Sequence, residues 1–341
     1  MSLKNLSAKI KIPKILKKKL LNTKISQIYK KFEKGLNING DFVVGVSGGP
    51  DSLALSFLTK IYAIKKRLKP RFFIVDHRLR IGSSKEAKLV KKLLKKLSID
   101  AEILIWKGKK PLKNIQSYAR IKRYELLFKK CNEYKIKNII LGHHQDDLFE
   151  NFFIRLLRGS GLKGLISLDK KIKFKDKYLY RPLLNHEKKD LIYVSNYVFN
   201  FFFKDPTNYE DKYLRIKIRK LIKDLEINGL DKKKFRKTIN NLKSSNDVVN
   251  FYVNQNLIAN SSSVDKPKKL ILNENFFLQP SEVVFRSFSQ SLNMVSNKYY
   301  SARGKKIDII LRDLKNNQSL KKTLGGCIIE KFNQTVIISK E

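Results

Sequence analysis

Short apolar runs alternate, through the first half of the chain, with longer stretches whose apolar positions recur at helical spacing. Phe42–Val46, Phe72–Val75, Ile103–Trp106 and Asn138–Leu141 read as strands. Ser52–Leu68, Ser84–Leu97 and Gln116–Tyr134 read as the helices between them. This alternation predicts an α/β fold, a doubly wound and mostly parallel sheet with helices on both faces. Ligands of such sheets sit beyond the carboxyl ends of the strands, so residues after Val46, Val75 and Leu141 are expected to converge on one cleft. Beyond Arg219 the pattern changes. Lys220–Ile258 reads as helix, Asn260–Pro267 as a linker by composition, and Leu270–Glu341 as short strands and helices closing in a hairpin over Cys327–Ile338. The expected divisions are a basic helical lead-in (1–36), the α/β domain (37–219), a helical region (220–260) and a small mixed α+β domain (261–341).

The first strand runs into Ser47-Gly48-Gly49-Pro50-Asp51-Ser52. Glycines let a backbone approach an anion without a side chain in the way. Proline suits the first helical position, where a missing N–H costs little. The helix start then presents unpaired N–H groups and a positive dipole end to a phosphate. Ser47 and Ser52 add hydroxyl donors. Asp51 would repel an anion unless a divalent cation stood between them, which makes it a candidate Mg2+ ligand. An ordinary strand-to-helix turn can carry a glycine pair; the whole hexapeptide in this setting favours phosphate.

The second dense motif is Gly142-His143-His144-Gln145-Asp146-Asp147-Leu148-Phe149-Glu150-Asn151. Asp146 or Asp147 and Glu150 fall three to four residues apart, on one helix face. Such a group can hold a cation, orient an amine, accept its proton or cap the helix. A zinc site ranks lower because no thiol is near. Weaker candidates are Asp76-His77 at the second strand end, which can contact a nucleoside or hold a catalytic loop, Gln116, Arg120, Arg123 and Tyr124 close together on a helix, and Arg158 in the glycine-containing stretch Arg155–Gly164. Arg181-Pro182-Leu183-Leu184 reads as a strand edge, Asp205-Pro206-Thr207-Asn208 as a turn, and Arg215 with Arg219 as one basic helix face.

A net charge of +44 over 341 residues fits a nucleic-acid partner. The wealth of Lys, Asn, Ile and Phe equally fits an AT-rich coding sequence, so charge alone leaves the partner open. The two cysteines, Cys131 and Cys327, form no framework or metal motif. The aromatic run Val198–Phe203 is far short of the ~20 residues of a membrane helix. The start of the chain lacks the apolar core of a secretory signal, so a cytoplasmic protein is expected.

Ser47–Ser52 resembles the pyrophosphate-loop signature of the ATP pyrophosphatase superfamily. The ordered set VDHRLR, QSYARIKRY, GHHQDDLFEN, LLRGSGLKGL, RPLL and DPTN, between about Asp41 and Arg219, resembles the tRNA(Ile)-lysidine synthetase family. Thr323–Cys327 and Tyr299–Arg303 are similar to the C-terminal region of some bacterial members. The resemblance implies an adenine nucleotide alpha hydrolase-like fold and a ligase that forms a C–N bond. ATP would adenylate O2 of the wobble cytidine in the CAU anticodon of tRNA(Ile) and release pyrophosphate. The ε-amine of free L-lysine would then displace AMP at carbon 2, turning codon reading from AUG to AUA and identity from Met to Ile. It assigns ATP to Ser47 through Ser52, Mg2+ to Asp51, and lysine binding and deprotonation to Asp146, Asp147 and Glu150. Arg120 and Arg219 are implied to stabilise the adenylated cytidine or the tRNA backbone, and His143 and His144 to support either step. Asp76, His77, Arg123, Arg158 and Arg215 remain candidate nucleotide or tRNA contacts, and 261–341 a candidate tRNA-binding domain. No membrane partner is implied, and a homodimer is left open. The family commonly has Arg-Asn where this chain reads Arg215-Ile216, and Phe149 and Asn151 replace more usual residues. A thiolating relative would need cysteine chemistry that two isolated cysteines do not offer. A small-molecule amidating enzyme fits the basic surplus poorly, and a catalytically dead RNA-binding module fits the retained acids poorly.

Overall fold

Alternation within the first strand decides how the molecule is layered. In the computed structural model, which describes residues 12–79, 82–108, 111, 115–203, 214–264, 269–298 and 302–341, β1 (Phe42–Val46) turns Phe42, Val44 and Val46 to one core and Val43 to another. The chain forms two compact units, Met1–Gly229 and Leu230–Glu341. In the first, α1 (Lys14–Leu20) and α2 (Thr23–Gly35) precede β1, and α3 (Pro50–Lys66), β2 (Pro70–Asp76), α4 (Ser83–Lys95), β3 (Ala101–Ile105), α5 (Ile115–Glu133) and β4 (Asn138–Ile140) follow it. Then come α6 (Gln145–Leu156), α7 (Leu162–Leu165), β5 (Lys171–Phe174), β6 (Lys177–Tyr180), a 3-10 turn (Pro182–Asn185), α8 (Lys188–Phe199) and α9 (Leu214–Ile227). The sheet order is β3-β2-β1-β4-β6-β5, parallel except for β5. The expected doubly wound α/β sheet is therefore present, and its direction of winding reverses between β1 and β4. That is where a crevice opens at the strand ends.

The basic lead-in packs into this unit. Ile25, Ile28, Tyr29 and Phe32 recur at helical spacing along α2, and all four are buried. Tyr62 of α3 ties it down: its hydroxyl donates to the Leu36 carbonyl at 3.1 Å and accepts from the Ile38 N–H at 3.4 Å. On the opposite sheet face Val43, Phe73 and Ile139 meet Leu127 and Cys131 of α5. Cys131 is wholly buried, and burial pushes its thiol up to about 12.

Three readings of the sequence change. Arg181–Leu184 is not a strand edge: pairing stops at Tyr180, because Pro182 has no N–H to continue a ladder and instead opens the 3-10 turn. The expected continuous helix from Lys220 is broken by Gly229 at φ +100°, a left-handed position that favours glycine. Part of the supposed linker is an edge strand, since Ser261–Val264 pairs antiparallel with Lys269–Leu272; four short polar-to-apolar residues carry too little pattern to reveal this. The Asp205–Asn208 turn and residues 299–301 lie outside the described residues.

The second unit holds α10 (Lys232–Asn260), β7 (Ser261–Val264), β8 (Lys269–Leu272), α11 (Glu274–Phe277), α12 (Ser281–Ser296), α13 (Gly304–Asn316), β9 (Ser319–Leu324), β10 (Cys327–Phe332) and β11 (Thr335–Lys340). Its antiparallel sheet runs β7-β8-β11-β10-β9 and includes the expected terminal hairpin. Leu270, Leu272, Phe276, Phe288, Ile329 and Ile338 fill its core, where the Cys327 thiol donates to the Leu292 carbonyl. Among the described residues no helix is long and apolar enough to cross a membrane.

His186, between the 3-10 turn and α8, is 1% exposed and lies 3.4 Å from the Ile28 carbonyl. Burial, helped by Lys31, lowers its pKa to about 4 against the opposing pull of that carbonyl. The folded state resists the proton that the unfolded chain takes up near pH 6.5. The stability present above that pH is therefore lost as pH falls toward 4, with a limiting slope of about 1.4 kcal/mol per pH unit for this one imidazole. Urea unfolding of the wild type and of His186→Gln between pH 7.5 and 4.5 should show a shallower decline in the variant. Parallel declines would show that this ring does not set the acid response.

Candidate active site

β1 ends at Val46, and the chain reverses into α3 within three residues. Gly48 has φ +83°, and a Cβ there would lie 2.5 Å from Val90 Cγ2 and 3.2 Å from the Phe203 ring, so only glycine fits. The Phe203 N–H donates to the Gly48 carbonyl at 3.0 Å. Pro50 is the first helical residue, and Gly49 before it supplies no side-chain cap. The first amides of α3 are thus left to an anion. Ser52 departs from its expected role as a direct donor. Its hydroxyl donates to the Gly49 carbonyl at 3.0 Å and accepts from the Ser47 N–H at 3.1 Å, closing the loop on itself. The Ser47 hydroxyl lies 3.2 Å from the same oxygen.

β4 delivers Leu141, Gly142 and His143 to the neighbouring strand end, and His144 caps α6. The Asp146 N–H donates to His144 Nδ1 at 3.2 Å, while Asp147 Oδ2 accepts from the His144 N–H at 2.9 Å. The capping role considered for the acidic motif is real, and it aims the other side of the ring. A neutral imidazole accepting at Nδ1 carries its proton on Nε2, which lies 3.7 Å from Asp51 Oδ2 and 3.6 Å from Asp147 Oδ2. The anion turn and the acidic helix start therefore meet across one ring.

Glu150, one turn further along α6, is 2% exposed. Arg219 Nε lies 2.6 Å from its Oε1 and Arg215 Nε 3.7 Å from its Oε2, both from α9. Burial raises the Glu150 carboxyl despite these arginines. For Asp147 burial also pushes upward, but His144 with its N–H, and Arg215 beyond, outweigh it and the carboxyl is held down. Burial drives His143 down to about 3, and Arg120, Arg181 and Arg215 outlast the opposing pull of Asp147. The ring is neutral, with Nδ1 buried and lacking a hydrogen-bond partner among the described residues.

A cleft of about 210 Å³ lies between the two strand ends. Gly45, Val46, Ser47, Asp51 and Ser52 form one wall; Val75, Leu141, Gly142 and His143 form the floor; Arg120, Arg123, Tyr124 and Arg215 supply the basic side. Arg120 donates to the Tyr124 hydroxyl at 3.2 Å. Gly48, Gly49 and Pro50 belong to the turn at its edge. Several candidates stand outside the lining. Asp76 is held by the Ser83 and Ser84 hydroxyls at 2.8 and 2.5 Å and by the Arg78 N–H, which shapes the loop into α4. His77 is partly buried, and burial and Arg123 lower it to about 4. Asp146 is partly buried at the start of α6, and Arg158 lies exposed beyond its end. The side chain of Gln116 is outside what is described.

One residue near the site, Lys188, has no counterpart in the sequence reading, and another, Arg181, reads there only as part of a strand edge. Lys188, at the start of α8, donates to Asp51 Oδ2 at 2.6 Å. Arg181 is buried and donates to the Asp169 carbonyl at 2.8 Å. Neither sits at a spacing that marks it, because both come to the site through a turn that only the fold defines. Asp51 Oδ1 is buried without a hydrogen-bond partner among the described residues. That orphan oxygen suits a cation, although no cluster of three or more His, Cys, Asp or Glu side chains suited to a metal occurs among the described residues. A Mg2+ held by one carboxylate and by ligand phosphates fits such a set.

Residues 17–225 match the PP-loop domain family. Among similar curated proteins, the tRNA(Ile)-lysidine synthase of Orientia tsutsugamushi (strain Boryong) is 34% identical over 313 residues, covering 89% of this chain and 70% of the relative. The enzyme of the same name from Rickettsia typhi (strain ATCC VR-144 / Wilmington) is 32% identical over 330 residues, covering 92% and 74%. Among solved structures, the U34-tRNA thiolase NcsA from Methanococcus maripaludis with its [4Fe-4S] cluster aligns with a TM-score of 0.55 at 20% identity, covering 65% of this chain and 79% of that one. This last likeness concerns the fold alone. With the nucleotide-type turn after β1, the acidic helix start after β4 and relatives matched along most of its length, the chain belongs to the PP-loop family and, within it, to the tRNA(Ile)-lysidine synthases.

Proposed function

We propose that this protein is an ATP-dependent ligase that joins lysine to carbon 2 of the wobble cytidine in the CAU anticodon of tRNA(Ile), acting in the cytoplasm. The observation that carries the reading is the contact of two differently charged sites across His144. On one side lies a turn of free helix amides; on the other, the carboxylates of α6. A nucleotide-transfer step and an amine-transfer step need such neighbours.

In the first step the turn Ser47–Ser52 binds the triphosphate, and the α3 amides stabilise the negative charge that grows on departing pyrophosphate. Asp51 would hold Mg2+ through its unpartnered oxygen, and the ion would supply charge neutralisation at the phosphates. The basic side of the cleft, Arg120, Arg123 and Arg215, faces the adenylated base or tRNA phosphates. In the second step the lysine ammonium must lose a proton before its ε-nitrogen can attack carbon 2 and expel AMP. Asp147, held ionised, is suited to anchor the ammonium. Glu150, whose raised carboxyl affinity for protons suits a base, is the favoured acceptor, with Asp146 beside them at the helix start. Arg219 and Arg215 then act partly through Glu150, holding its carboxylate in place. A thiolating reading is disfavoured because the two thiols are buried singly, one in each unit.

Labelled lysine should enter a CAU-anticodon transcript in the presence of ATP and fail to enter one with uridine at the wobble position. Equal labelling of both would reject the cytidine specificity. Asp51→Ala should abolish pyrophosphate release while leaving tRNA affinity within a few-fold of wild type. Release near the wild-type rate would remove the role assigned to that carboxylate.

A further inference from the structure

The anion turn does not stand alone; one segment grips it at three successive points. Lys188 Nζ donates to Asp51 Oδ2 at 2.6 Å, the Ser195 hydroxyl donates to the Pro50 carbonyl at 2.6 Å, and the Phe203 N–H donates to the Gly48 carbonyl at 3.0 Å. Two of these bonds hold peptide oxygens. Since C=O and N–H of a trans peptide point in opposite directions, they turn the Gly49 and Asp51 N–H groups away from α8. The third is different, because it joins two charged side chains.

Lys188 is the first residue of α8, where the helix dipole disfavours a cation and an acid is preferred. Its ion pair is partly solvated, with side-chain exposures of 36% for Lys188 and 23% for Asp51. Exposed pairs of this kind add little stability. Asp51 has no need of it for the fold either, since a carboxylate in the first turn of α3 is already favoured. An ammonium has three donors, and the described residues give Lys188 Nζ one hydrogen-bond partner. A cation is therefore held at the lip of a phosphate turn, at a helix position that disfavours it, with donors to spare.

We propose that Lys188 is a binding residue for the terminal phosphates of ATP, held on Asp51 and reaching from there to the pyrophosphate portion of the nucleotide. The inference rests on the ATP reading of the cleft and adds to it the residue that distinguishes a triphosphate from a monophosphate. The segment Lys188–Phe203 then does two jobs: Ser195 of α8 and Phe203 beyond its end set the direction of the turn amides, and Lys188 supplies a charge.

Calorimetric titration of the whole chain with ATP, AMP and inorganic pyrophosphate, in magnesium buffer, tests it. Lys188→Met should weaken ATP and pyrophosphate binding by about ten- to a hundredfold, the range of one charge-assisted hydrogen bond, and leave AMP binding within twofold. Lys188→Arg should restore most of the loss. A wild-type chain that binds no ATP would overturn the nucleotide reading itself. If the wild type binds ATP and Lys188→Met weakens ATP and AMP equally, or neither, the proposal fails while that reading survives. Should Lys188→Met lose its cooperative thermal transition, the more polar Lys188→Gln is held to the same ATP-to-AMP ratio.

Discussion

The cleft depends on one steric constraint, the reversal of β1 into α3 at a glycine that cannot be replaced without a clash. Gly48 takes a left-handed φ with Val90 and Phe203 against it. Because the turn is so short, α3 starts directly at the strand end and its uncapped amides face the site. A longer or side-chain-capped connection would satisfy those donors internally and leave nothing for a phosphate. Everything else is arranged around that opening. Ser52 closes the turn, α8 braces it, and β4 places the acidic helix beside it.

The charges around the cleft form a sequence rather than a uniform field. Asp51 lies between Lys188 and His144, Asp147 beyond His144, and Glu150 against Arg219 and Arg215. Burial opposes ionisation at Asp147 and Glu150 alike, yet the outcomes differ. His144, its N–H and Arg215 hold the first down, whereas two guanidiniums only partly offset the desolvation of the second. Paired carboxylates with separated proton affinities are what allow one to anchor an amine and another to take its proton.

Much of this was legible before any coordinates. The period of apolar positions gave the sheet, and the hexapeptide after Val46 gave the turn, because strand ends and glycine-proline chemistry are local properties. The acidic helix start was legible for the same reason. Lys188 was not, since it reaches Asp51 through packing between segments far apart in sequence, and Arg181, legible only as a strand-edge residue, shows its burial only once the β5–β6 hairpin is formed. Asp76 reads in the sequence as either a nucleoside contact or a residue that holds a loop, and its bonds to two serines seven and eight residues later fit the second. The edge strand Ser261–Val264 escaped notice because its residues are shaped by pairing with β8 and not by their own preference.

The location of the sulfur atoms has a consequence for durability. Cys131 is fully enclosed on the sheet-facing side of α5 with its thiol pushed up to about 12, and Cys327 is enclosed in the second unit with its thiol also raised. Neither offers an accessible thiolate, the form that peroxides and alkylating reagents attack. No thiol lines the cleft, and oxidants or alkylating reagents in solvent do not meet either cysteine while the protein is folded.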